Sequence, residues 1–127
     1  MLLLDTDVMV DILRGYEPAK QWLEAAQNQI LGIPGLVAME LLQGCENSRE
    51  QKCLEKILSG FPLLWAEPSH CEQALKIFAT YRLSHQLGLL DGLIAETAIG
   101  VGAELATFNV KHYQVLKELQ TIQPYTR

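Results

Sequence analysis

A chain of 127 residues, 49% hydrophobic and 20% charged, is long enough to bury a core without disulfides or a structural metal. Its 15 acidic against 10 basic side chains leave a net charge of −5, which excludes nucleic-acid binding through a broadly basic surface. Three cysteines, Cys45, Cys53 and Cys71, lack CxxC spacing, and no second ligand pair stands near His70–Cys71; they read as reduced thiols, not a zinc site.

Leu2–Leu4 is a continuous apolar run, the pattern of a strand buried on both faces. Residues 8–13 predict a short helix stopped by Gly15, and Pro18 suits the first turn of a second, EPAKQWLEAAQ, with Trp22, Leu23 and Ala26 on one face. QILGIP reads as the next strand, GLVAMELLQGC as an apolar helix, and SREQKCLEKILSGF as an amphipathic helix opened by Ser48. PLLWA predicts a strand, then a long helix capped by Ser69 and ending near Gly88. LLDGLIAETAIGVG is helical, AELATF a strand, KHYQVLKEL a short helix, TIQP an edge strand, and QPYTR a loose tail. Trp22, Trp65 and Tyr113 read as core or interface aromatics.

Alternating strands and helices predict a single α/β domain over residues 1–127: a three-layer α/β/α sandwich around a mainly parallel sheet of four to five strands. The opening MLLL meets Asp5 without a basic flank, unlike a signal peptide. The longest uncharged run, residues 25–39, holds Pro34 and two glycines, and its 15 residues fall short of a membrane span. A soluble, cytoplasmic protein is expected.

In an open parallel sheet, sites form beyond the carboxyl ends of the strands. Polar residues that break the apolar pattern fall at such places: Asp5 after the first strand, Glu40 within LVAMELLQ, Asp91 within LGLLDGLIAETA, and Asn109 after LATF. Asp5 and Asp91 also have the bland reading of helix caps, and Asn109 that of a turn residue. Glu40 is harder to dismiss, because a carboxylate in mid-helix on an apolar face needs a partner. Like charges ~4 Å apart repel by roughly 4 kcal/mol at an effective dielectric of 20, so a shared pocket needs compensation. Clustered hard oxygen donors suit Mg²⁺ or Mn²⁺, and such an ion activates water for attack on a phosphodiester.

The segments LLLDTDVMVDILRG, VAMELLQG and LGLLDGLIAETAIGVGAELATFNVKHY, in this order, resemble the PIN-domain ribonucleases of the VapC toxin type. The resemblance spans nearly the whole chain. It implies that Asp5, Glu40 and Asp91 bind metal and that the hydroxyls of Thr6 and Thr107 support the site. It implies a Mg²⁺- or Mn²⁺-dependent endoribonuclease with an RNA substrate, a homodimer, and a small DNA-binding antitoxin whose tail occupies the active site. Asn109 departs from the fullest family pattern, which has a fourth acid there; a neutral carbonyl binds a metal more weakly, or orients a water.

Asp7 is placed to support Asp5 from behind the ligands or to hydrogen-bond the helix start, and Asp11 reads as solvent-facing. Glu96, five residues from Asp91, lies ~140° round a helix of ~3.6 residues per turn and points elsewhere. Arg14 and Lys111–His112 are positioned to receive RNA phosphates, or are ordinary surface charges. Two alternatives stay open. In a haloacid-dehalogenase-like phosphatase LLLDTDV would make Asp5 a nucleophile and Asp7 a general acid. A catalytically silent PIN fold would act only as a binding partner.

Overall fold

The opening leucines become β1 (Leu2–Leu4), every residue of it buried. A computed structural model, describing residues 1–127, sets β1 at the centre of a sheet with β2 (Leu31–Pro34), β3 (Leu63–Leu64), β4 (Glu104–Ala106) and β5 (Thr121–Ile122). The order is β3-β2-β1-β4-β5 and every pairing is parallel, with Leu2 opposite both Leu31 and Glu104. A central parallel strand has no wet face, which is why β1 is uninterrupted leucine. The expected α/β sandwich holds, with five strands.

Seven helices connect the strands: α1 (Thr6–Leu13), α2 (Glu17–Ala25), α3 (Gly35–Gln43), α4 (Ser48–Leu58), α5 (Pro68–Tyr81), α6 (Asp91–Gly100) and α7 (Val110–Tyr113). Helix α1 packs on α2 and α3, α3 on α4, and α5 on α6. Gly15, at φ +72°, lets the chain leave α1 in a conformation that strains any L side chain. From β1 the chain runs out through β2 to β3, then returns to the other side of β1 as β4. The direction of winding therefore reverses between β1 and β4, and the crevice beyond their carboxyl ends is the expected ligand position.

Several local expectations need correction. Asn47, not Ser48, caps α4: its Oδ1 accepts from the Glu50 amide at 2.9 Å. Ser69 caps nothing, because Pro68 already occupies the first turn of α5, and that helix ends at Tyr81 rather than near Gly88. Helix α7 is a single turn. The tail is not loose and Asp11 is not a solvated residue. Tyr125 packs edge-on against Phe108, its hydroxyl and the Arg127 Nε both donate to Asp11 Oδ2, and the Asp11 side chain is left 14% exposed. Aromatic burial outweighs the polar composition that made QPYTR look detached.

Candidate active site

Asp5 leaves the carboxyl end of β1 and is only 4% exposed. Its Oδ1 accepts from the Thr6 amide at 2.8 Å, so the capping reading of Asp5 is correct as far as it goes. Its Oδ2 accepts from the Thr107 hydroxyl at 2.8 Å and the Tyr113 hydroxyl at 3.2 Å, which no cap requires. Burial, followed by the charge of Asp7, pushes the Asp5 carboxyl up to about 6 despite these donors. Asp7 is itself raised by burial. Its Oδ1 accepts from the Val8 amide at 2.7 Å and its Oδ2 from the Phe108 amide at 2.9 Å, with a longer 3.5 Å contact to the Thr107 hydroxyl. Asp7 thus ties the start of α1 to the exit of β4.

Tyr113 is buried as its aromatic character suggests, yet it is also a site residue that sequence reasoning missed. Burial and the charges of Asp5, Asp91 and Asp7 all raise its pKa, so the hydroxyl stays a donor. The available signal was its position in the helical turn four residues after Asn109, where a side chain can fold back over the strand exit.

The remaining acids approach this cluster from other elements. Glu40, half-buried on α3, accepts from the Thr6 hydroxyl at 3.0 Å, so one residue holds both Asp5 and Glu40. Asp91 is the first residue of α6 rather than its cap, and its Oδ2 accepts from the Gly88 amide at 2.7 Å. A side chain at Gly88 would place Cβ 2.8 Å from that oxygen and push the Asp91 carboxylate aside. The charges of both Asp5 and Asp91 help to raise the Tyr113 hydroxyl, of which only Asp5 is its hydrogen-bond partner. No three His, Cys, Asp or Glu side chains gather closely enough to hold an ion between them.

The donor set nonetheless fits a hard divalent cation. It is all oxygen, it is anionic, and its most buried member is a carboxylate whose charge is poorly compensated by the protein. Mg²⁺ keeps several waters, which can span acids that do not converge directly. Asp5 uses three of roughly four lone-pair positions, leaving room for a further partner.

Asn109 is exposed and caps nothing with its side chain, while its amide donates to the Thr107 hydroxyl at 3.0 Å. Arg14 closes α1 and, with Arg49 and Glu40, lines a groove of about 810 Å³ whose walls include Leu13, Leu54 and Ile57. Lys111 and His112 are exposed on α7. Glu96 points elsewhere, as expected: its Oε1 lies 2.7 Å from His70 Nδ1, between α6 and α5.

Known proteins resemble this chain along almost its entire length. The PIN domain family model matches residues 2–118. Ribonuclease VapC10 of Mycobacterium tuberculosis is 34% identical over 122 residues, covering 94% of this chain and 91% of its own length. Ribonuclease VapC19 of the same organism is 36% identical over 124 residues, covering 94% and 98%. Among solved structures, a toxin–antitoxin complex from Klebsiella pneumoniae superposes over 100% of both chains with TM-score 0.80 at 26% identity. VapBC-1 from nontypeable Haemophilus influenzae has the same fold, with TM-score 0.80 and 22% identity over 97% of each chain. Parallel sheet, acids at its switch point and end-to-end likeness agree, and the chain belongs to the PIN domain family, among the VapC-type ribonucleases.

Proposed function

We propose that this chain is a Mg²⁺- or Mn²⁺-dependent endoribonuclease, the toxin of a toxin–antitoxin pair. It folds as a single domain over residues 1–127 and acts in the cytoplasm as a homodimer. The observation that carries the reading is Asp5, a buried carboxylate at the β1/β4 switch point with its pKa pushed up to about 6 and further acids placed around it. Relatives named ribonucleases and a neighbour solved as a toxin–antitoxin complex support the activity and the partner.

In this mechanism Asp5, Glu40 and Asp91 would hold the ion, bridged in part by its waters, and the carbonyl of Asn109 would assist. When bound, the ion supplies the positive charge that activates water and offsets charge on the phosphodiester. The chain's own groups do the positioning. Thr6 fixes Asp5 through its amide and Glu40 through its hydroxyl, so these two carboxylates cannot drift independently. Thr107 and Tyr113 hold one oxygen of Asp5, and the raised pKa of Tyr113 keeps it a donor rather than a competing base. Arg14, which lines the groove with Glu40, and Lys111, exposed on α7 after Asn109, are the basic residues assigned to RNA phosphates. The groove beside Glu40, apolar along its walls and carrying Arg14 and Arg49, suits an antitoxin segment. The phosphatase alternative needs Asp7 as a general acid, but its Oδ2 is already engaged by the Phe108 amide.

The test is cleavage of labelled RNA by antitoxin-free protein with Mg²⁺ or with EDTA. Asp5→Ala, Glu40→Ala and Asp91→Ala are each expected to lose at least ~100-fold in rate, the upper end of what losing an outer partner of a metal ligand costs. Cleavage that persists in EDTA, or full activity in Asp5→Ala, overturns the reading.

A further inference from the structure

We infer that residues 123–127 form a strap that positions Asp5, with Arg127 as its fastening; this rests on the metal-dependent nuclease reading. After β5 the chain turns over Phe108 and α1. The Tyr125 ring meets Phe108 edge-on at 4.9 Å between centroids and lies 6.2 Å from Tyr16 and 6.3 Å from Trp22. Its hydroxyl donates to Asp11 Oδ2 at 2.7 Å. Arg127 Nε donates to the same oxygen at 3.0 Å, its Nη2 donates to the Asp7 carbonyl at 3.3 Å, and its guanidinium carbon lies 4.2 Å over the Phe108 ring.

Asp7 and Asp11 stand one helical turn apart on α1, so the strap holds the first turns of that helix against Phe108. From the other direction the Phe108 amide binds Asp7 Oδ2 and the adjoining Thr107 hydroxyl binds Asp5 Oδ2. The seam between α1 and the exit of β4 carries Asp5, and it is fastened on both sides. Arg127 also brings one positive charge to a stretch that bears Asp5, Asp7 and Asp11. Its Nε, its Nη2 and one face of its guanidinium are engaged within the protein, and the role assigned to it is positioning.

The test measures Mn²⁺ affinity by titration calorimetry on the full chain, beside RNA cleavage and thermal melting. Arg127→Ala is expected to weaken Mn²⁺ by about threefold to tenfold, less than the ~10–100-fold cost of losing a direct partner of a ligand. The KM for RNA and its salt dependence are expected to stay unchanged, and Arg127→Lys, which keeps the charge but not the fork or the stacking face, to recover only part of the loss. Tyr125→Phe, which keeps the ring and deletes only one hydrogen bond, is expected to shift affinity the same way by less. It serves also if Arg127→Ala does not fold. A lower melting temperature with unchanged Mn²⁺ affinity reduces the strap to a staple and overturns the inference. So does a raised KM with a shallower salt dependence, which would make Arg127 a phosphate contact. A wild type that takes up no Mn²⁺ and cuts no RNA overturns the nuclease reading and the strap together; an active wild type matched by both variants overturns the strap alone.

Discussion

At Asp5 the fold accepts an electrostatic cost in order to place a charge. A carboxyl raised from 3.8 to about 6 by folding binds a proton more readily in the native than in the unfolded chain. Stability from this group is therefore fully present below pH ~4, falls as pH rises through 4 to 6, and is gone above that. At 1.36 kcal/mol per pK unit, ionised Asp5 costs the metal-free protein about 3 kcal/mol at pH 7. Asp5→Asn removes the charge and keeps the shape. In urea denaturation with EDTA it is expected to be more stable than wild type by ~1–3 kcal/mol at pH 7, while being inactive, with the gap closing towards pH 4. Equal stability at pH 7 would show that Asp5 is already compensated. Adding Mn²⁺ should narrow the gap by stabilising the wild type alone.

Among the elements, α5 and α6 are joined through a pair of which one member, Glu96, is buried and the other, His70, is half-buried. Glu96 is 2% exposed and its Oε1 meets His70 Nδ1 at 2.7 Å, so the carboxylate that sequence spacing turned away from the acids has a structural partner. His70→Ala strands that carboxylate and is expected to lower the urea midpoint by the equivalent of about 1–3 kcal/mol. The double change His70→Leu with Glu96→Leu should recover most of it, because no charge is left buried. If the single and double variants are equally unstable, the loss is one of packing instead.

Element type and order were legible because apolar runs and helical periodicity are local, and the acids were legible because they interrupt those runs. The contacts that define the site were not. Tyr113 reaching Asp5 and Arg127 reaching Asp11 join residues over a hundred positions apart, and no pattern around either residue encodes the other. Helix boundaries failed where two caps competed, as at Pro68 and Ser69, because propensity ranks residues but backbone geometry selects one.

For the whole molecule the net charge of −5 limits how RNA is held. Six to ten phosphate contacts would lose about 10³–10⁵ in affinity between 50 and 200 mM salt. With Arg14 and Lys111 as the proposed contacts, an inactive variant binding single-stranded RNA is expected to lose less than about tenfold over that range, measured by fluorescence anisotropy. A steep dependence would mean that other basic residues hold the strand. The sheet constrains partners in a different way. Its two outer strands, β3 and β5, are only two residues each. So short a border offers almost no backbone ladder for a foreign strand to continue, which protects the protein from edge-to-edge aggregation. Recognition of this molecule must then be written in side chains and grooves, not in sheet extension, and a partner can change without threatening the register of the fold.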